Sequence, residues 1–198
     1  FLISGPQAVP FIQYVFSNDV ERLDIGQAQY GYMPNAKGGI VDDLLVYRID
    51  HQRYMLVVNA ANIEKDWNWL ATHNKMFGAT LENQSEQWSL LALQGPKATP
   101  ILATLTEATI AKIPFYSFIH GKVAGVENVL ISATGYTGSG GYELYVPNAH
   151  AEKIWNSLIE NGAEPCGLAA RNTLRIEMGY CLYGNDIDDC TSPIAAGL

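Results

Sequence analysis

The chain repeats itself, and that constrains its fold more than any other feature. Gly5-Pro6-Gln7-Ala8-Val9-Pro10-Phe11-Ile12 returns as Gly95-Pro96-Lys97-Ala98-Thr99-Pro100-Ile101-Leu102, at an offset of 90. Tyr54 to Leu70 returns as Tyr142 to Leu158 at an offset of 88, with nine of 17 positions identical. Two windows in the same order at nearly equal offsets imply two related structural units. The boundary falls near Gln84 to Gln87, giving a first repeat over 1–84 and a second over 85–198.

Each half runs as apolar strand, Gly-Pro, helix, several strands, helix. Val9, Phe11, Ile12, Val15 and Phe16 recur at helical spacing, with Pro10 tolerable in a first turn. Ile40 to Ile49 is rich in β-branched residues and reads as a strand, followed across a polar turn by a second strand from Tyr54 to Asn59. Asn62 can cap a helix carrying Ile63, Trp67 and Leu70 on one face. In the second half Val129–Thr134 and Tyr142–Val146 flank a Gly-rich hairpin, and Asn148 can cap a helix through Leu158. A further helix is expected from Leu168 to Met178, ending at Gly179. Short turns between strands favour antiparallel sheets, so the class is α+β, built from duplicated antiparallel-sheet-plus-helix units.

Composition narrows the partners. Charged residues make up only 16% of the chain against 48% hydrophobic, which excludes a disordered tail or a basic arm. With a net charge of −8, neither nucleic acid nor an anionic membrane surface is an expected partner. No apolar run reaches the ~20 residues of a membrane span, and the N-terminus lacks a signal-peptide pattern. The chain has no initiator Met and opens within an apolar run, so it reads as a piece of a longer protein. Cys166, Cys181 and Cys190 form no Cys-x-x-Cys pair, which suits reduced thiols; Asn83-Gln84-Ser85 is a formal glycosylation sequon without further support. The four histidines have no metal-ligand spacing, no Gly-x-Ser-x-Gly occurs, and no metal site is expected.

A few residues break the local pattern. Alternation along Ile40–Ile49 puts Asp43 on one face with Val41, Leu45, Tyr47 and Ile49, where it is the only charge. A buried carboxylate must find partners or stay protonated, so Asp43 is a candidate for proton handling or for an N–H-rich ligand. Backbone N–H bonds or a Ca²⁺ ion would satisfy it equally. Asn59 follows on the next strand and comes from the neighbour of Asp43 if the two strands pair; a strand-end role is the alternative. Gly135-Tyr136-Thr137-Gly138-Ser139-Gly140-Gly141 lacks the ending of a P-loop and reads as a hairpin turn, flanked by Tyr136 and Glu143. Glu143 is either an outward strand residue or a ligand-facing acid. Arg171 and Arg175 share a helix face, which asks for anionic partners, either protein carboxylates or a ligand.

Seven segments together resemble one family. They are Gly38–Tyr47, Val57–Asp66, Leu93-Gln94-Gly95-Pro96, Thr134–Gly138, Cys166–Arg171, Leu182–Asp188 and Thr191-Ser192-Pro193. The resemblance is to the glycine cleavage system T-protein family of tetrahydrofolate-dependent aminomethyltransferases, and it runs the length of the chain. It implies that the chain is the middle of a longer three-domain protein, lacking an N-terminal portion and a C-terminal domain. It implies Asp43 as the essential aspartate and Tyr30, Val57, Asn59, Tyr136, Glu143 and Arg171 as folate contacts, with Glu143 accepting from the pterin N–H edge. The reaction implied moves a methylene from the aminomethyl-dihydrolipoyl arm of a lipoylated H-protein to tetrahydrofolate, with release of ammonia. Tetrahydrofolate is then the acceptor substrate, and the compartment is the cytoplasm, or the mitochondrial matrix in a eukaryote.

The sequence departs from the family at Ser139, where Glu is usual, and at Asn172, where Asp is usual. Two other readings share the fold. One is the folate module of a dimethylglycine or sarcosine dehydrogenase. The other is a non-catalytic folate-binding protein of iron–sulfur assembly, whose Lys-Gly-Cys motif is missing from Met178–Asn185.

Overall fold

A computed structural model describes residues 1–198. The chain divides into two compact units, one of residues 1–86 with 181–198 and one of residues 87–180. In the first unit the elements are β1 (Leu2–Ser4), α1 (Ala8–Val15), β2 (Ala28–Pro34), β3 (Ile40–Asp50), β4 (Arg53–Val57), α2 (Ile63–Asn74) and β5 (Thr80–Glu82). They form one sheet ordered β2-β3-β4-β1-β5, antiparallel throughout. Phe11, Ile12 and Val15 of α1 and Leu70 of α2 share a core with Ile3, Met33, Leu44, Val46, Tyr54 and Leu56 of the sheet.

The second unit contains β6 (Trp88–Gln94), α3 (Ala98–Ala103), β7 (Phe118–Val123), β8 (Val126–Ser132), β9 (Gly141–Pro147), α4 (Asn148–Glu160) and α5 (Leu168–Glu177). Its sheet is ordered β6-β9-β8-β7. That is the order β1-β4-β3-β2 of the first unit, element for element. The match extends to register: Ile3 lies opposite Tyr54, and Leu93 opposite Tyr142. These pairs are related by the same offsets of 90 and 88 that relate the repeated sequences. Ile101 and Leu102 of α3 and Ile154 and Leu158 of α4 close a core over Val129, Ile131, Leu144 and Val146.

Three expectations need correction. The repeat pattern extends the second repeat to residue 198, but residues 181–198 pack on the first unit. Backbone contacts hold them there: Ile40 N–H donates to Asp188 O at 3.0 Å and Asn35 Nδ2 to Asp189 O at 2.8 Å. A side chain at Gly39 would lie 1.8 Å from that Asp189 carbonyl, so only glycine lets the segment approach. Asn62 takes the cap position of α2, but its side chain makes no cap bond; the amide is committed to Asp42 instead. Asn148 is the first residue of α4 rather than its cap, and its Oδ1 accepts from Ser89 Oγ at 2.8 Å.

The candidate functional site

The face assigned to Asp43 is the more open one. α1 and α2 cover the other face of β3, so Ile40, Asp42, Leu44 and Val46 are buried while Asp43 and Leu45 are only half-buried. The fully buried carboxylate is therefore Asp42, at 0% exposure. Strand alternation identifies two faces but not which of them meets the helices.

The open face brings the first-unit candidates together. Tyr30 of β2 lies opposite Leu45, and Leu45 lies opposite Val57 of β4, which makes one row across three strands. Asp43 sits two residues along β3 on the same face. Its carboxylate accepts from Tyr30 Oη at 2.8 Å and from Asn59 Nδ2 at 2.8 Å. Asn59 lies just beyond β4, where that register brings it beside Asp43. Its Nδ2 also donates to Asp42 Oδ1 at 2.8 Å, and its backbone N–H donates to Asp42 Oδ2 at 3.0 Å. One amide thus ties the two aspartates. Burial raises the Asp43 pKa above the usual carboxylate range; the bonds from Tyr30 and Asn59 oppose the shift and the charge of Asp42 adds to it.

Behind these groups lie residues the motif reading passed over. Asn62 Nδ2 donates to Asp42 Oδ1 at 2.7 Å. Lys65 of α2 donates to Val41 O and, at 2.8 Å, to Tyr183 Oη, which donates in turn to Ile40 O at 2.9 Å. The 181–198 segment thereby braces the start of β3. Asp66 of α2 is fully buried. A signal for it existed in the sequence: a charge at a core-facing helix position, aligned by the repeat with Ile154.

In the second unit Glu143 of β9 faces Ser132 of β8. Thr134 Oγ1 hydrogen-bonds the Glu143 carboxylate and lies 2.9 Å from Ser132 Oγ. Burial raises the Glu143 pKa, against the Thr134 bond and the Arg171 charge. Tyr136 lies on the β8–β9 loop. Arg171 of α5 stacks its guanidinium 4.4 Å from the centre of the Tyr136 ring, and Tyr180 stacks on Tyr136 with ring centres 5.8 Å apart. Arg175, the other arginine of that pair, is structural: it is buried, with Nε donating to Asn172 Oδ1 at 2.8 Å and Nη1 to Tyr180 O at 3.0 Å.

The Gly-rich stretch is a hairpin loop, as its composition indicates. Gly141 has φ +132°, and a side chain there would meet Leu93 O at 2.4 Å. A cleft of about 410 Å³ opens beside the loop, lined by Gln94, Ile113, Thr134, Gly135, Met178 and Tyr180 among others. Thr134 bonds Glu143 and Tyr180 stacks on Tyr136, so the cleft adjoins a carboxylate and an aromatic stack. Both suit a flat heterocycle with an N–H edge. No group of three or more His, Cys, Asp or Glu side chains is arranged to hold a metal ion, and no helix is long and apolar enough to cross a membrane.

Comparison with known proteins agrees with the sequence resemblance. Residues 1–198 match the GCVT N-terminal domain family. The aminomethyltransferase of Bacteroides thetaiotaomicron is 57% identical over 202 residues, and that of Flavobacterium psychrophilum 54%, each alignment covering 100% of this chain and 56% of the relative. The chain thus spans about half the length of these curated relatives. Among solved structures, the glycine cleavage system aminomethyltransferase T from Bartonella henselae matches 98% of this chain and 52% of its own, at 36% identity and a TM-score of 0.84. The heterotetrameric sarcosine oxidase from Corynebacterium sp. U-96 shares the fold, at 16% identity and a TM-score of 0.56.

Proposed function

The chain belongs to the GCVT N-terminal domain family, and from that premise we propose that it is the tetrahydrofolate-binding part of an aminomethyltransferase of the glycine cleavage system. The full-length protein would transfer the methylene of an aminomethyl-dihydrolipoyl H-protein to tetrahydrofolate and release ammonia and the dihydrolipoyl H-protein. The observation that carries this reading is the Asp43–Asn59–Tyr30 cluster on the open face of β3. It holds a half-buried carboxylate by two side-chain hydrogen bonds without neutralising it.

Tetrahydrofolate supplies the nucleophilic nitrogen. Asp43 stands as the one carboxylate on its face of β3, suited to orient that nitrogen or to stabilise positive charge on the carbon being transferred. Val57 offers an apolar wall beside it, and Asn59 and Tyr30 fix its rotamer. Glu143, with both Thr134 and Arg171 acting on it, suits an N–H-rich ring edge, and Tyr136 offers a face for stacking. Much of the acceleration would come from holding two reactants in place.

The test is calorimetric binding of tetrahydrofolate, together with ammonia release from aminomethylated H-protein, on the full-length protein and its Asp43→Asn variant. Folate binding with turnover in the parent, and binding without turnover in the variant, is the expected result. A parent that binds folate but releases no ammonia would mean a binding protein instead.

A further inference from the structure

Asp66 sits in a place built for a hydrocarbon. It lies on α2 four residues before Leu70, and both are buried, at 0% and 1% exposure. The matching positions of α4 are Ile154 and Leu158, at 0% and 4%. The second repeat shows that the fold accepts an apolar side chain in this slot. A carboxyl group there costs several kcal/mol unless it is paired.

Its pairing is unusual. Neither Asp66 oxygen receives a hydrogen bond from any N–H or O–H group. Asn62, one turn earlier on the same face of α2, bonds Asp42 Oδ1 at 2.7 Å, which places the Asp66 carboxyl beside that of Asp42. Two carboxylates cannot bond without a proton between them. Asp42 already accepts three N–H bonds, from Asn59 N, Asn59 Nδ2 and Asn62 Nδ2, whereas Asp66 accepts none. The proton then resides on Asp66.

We propose that Asp66 is a neutral carboxylic acid that donates to Asp42 and, through Asp42 and the Asn59 amide, sets the position of Asp43. Asp66 is a positioning residue, three hydrogen bonds removed from the aspartate that would meet substrate. The proposal rests on the folate-transferase reading for its consequence in turnover, but the protonation of Asp66 stands apart from it. The charged groups acting on Asp66 are Asp42 of β3, Lys65 of its own helix and Asp189 of the 181–198 segment, with the phenol of Tyr183 near. Burial, then the bond and charge of Asp42, push its pKa up to about 9, against Lys65.

Three forms of the full-length protein test this: wild type, Asp66→Asn and Asp66→Ile. Infrared spectra at neutral pH should show a protonated carboxyl stretch in wild type that both variants lack. Asp66→Asn keeps a neutral donor to Asp42 and should retain most of the turnover. Asp66→Ile copies the other repeat but removes the O–H donor to Asp42, and kcat should fall about 10²-fold, the scale of a misplaced catalytic group. Its thermal stability should hold or rise, as hydrocarbon replaces a buried acid. A purely structural role would move stability and rate together.

The wild-type rate should also fall on the alkaline side as Asp66 ionises and repels Asp42, and that limb should vanish in Asp66→Asn. Absence of the carboxyl band, wild-type kcat in Asp66→Ile, or an alkaline limb unchanged in Asp66→Asn would each overturn the proposal. If wild type binds no folate and transfers nothing, the functional reading falls and the positioning role with it. The infrared band still decides whether Asp66 is the neutral member of the pair.

Discussion

Asp66 and Ile154 occupy the same place in two copies of one architecture. Both lie on the helix that follows the fourth strand of their repeat, and both are fully buried. The repeats diverge in the strands as well. The hairpin β2–β3 is longer than its counterpart β7–β8: β3 begins at Ile40 after an excursion from Pro34, whereas β7 and β8 turn tightly between Val123 and Val126. Asp42 and Asp43 follow that excursion, paired with Met33 and Tyr32 near the start of β3. The second repeat instead places its acid, Glu143, on the strand β9 that corresponds to β4. Duplication supplied two stable frames, and each carries polar residues at different positions of the frame.

The comparison is most directly broken by Ile154→Asp. The second repeat has no buried aspartate like Asp42 to accept a hydrogen bond from a buried acid; the matching position of β8 is Glu127, exposed and paired with Lys122. The substitution removes a buried aliphatic side chain and buries a carboxyl in its place, so stability should fall by about 5 kcal/mol. A denaturant titration reads this directly. A loss within about 0.5 kcal/mol, the scale of an ordinary surface change, would mean that the slot does not discriminate and that Asp66 needs no explanation.

The next effect separates the two acids by role. Asp43→Asn should lower kcat by about 10²–10⁴-fold, the range for a positioned acid–base or charged group, with tetrahydrofolate affinity nearly retained. Glu143→Gln should do the reverse. It weakens a charge-assisted contact of about 1.5–3 kcal/mol, read as a raised Kd for tetrahydrofolate, and leaves kcat nearly unchanged. Equal effects on kcat and Kd from both variants would erase the distinction between the repeats.

Glu143 also gives a pH signature. Its folded pKa is raised by burial. The folded state therefore holds the proton more tightly than the unfolded chain, and the stability this contributes is present at low pH. It is lost as pH rises from the ordinary carboxylate range through the folded value. Folate affinity runs the other way and should climb over the same window, because the ionised form accepts N–H groups. Glu143→Gln should flatten both curves.

Much of the frame was legible in the sequence, and the reason is physical. Apolar periodicity and the Gly-Pro landmarks report directly on which segments bury a face, so the repeat, the order of elements and the antiparallel class follow from them. The depth of Asp42 was not legible, because β3 is nearly apolar on both faces and alternation cannot show which one the helices cover. The docking of 181–198 was hidden for another reason. It rests on backbone carbonyls of Asp188 and Asp189 and on the missing side chain of Gly39, none of which leaves a periodic trace. The depth of Arg175 was hidden likewise: the sequence left it open between protein carboxylates and a ligand, and at 4% exposure it donates to Asn172 and the Tyr180 carbonyl.

Arg171 carries the smallest and most local prediction. Its guanidinium lies 4.4 Å from the centre of the Tyr136 ring, a contact worth about 0.5–1 kcal/mol for an exposed arginine such as this. Arg171→Lys keeps the charge but loses the flat stack, so folate affinity should weaken only severalfold. Arg171→Leu removes the charge too. Arg171 is one of the two groups that hold the Glu143 pKa down against burial. The leucine variant should therefore move the pH at which folate binding strengthens further upward, while the lysine variant leaves it nearly in place. An equal upward move in both variants would mean that the planar stack, and not the charge, sets the state of Glu143. No movement in either would mean that Thr134 alone sustains the carboxylate, leaving Arg171 only its place on the Tyr136 ring.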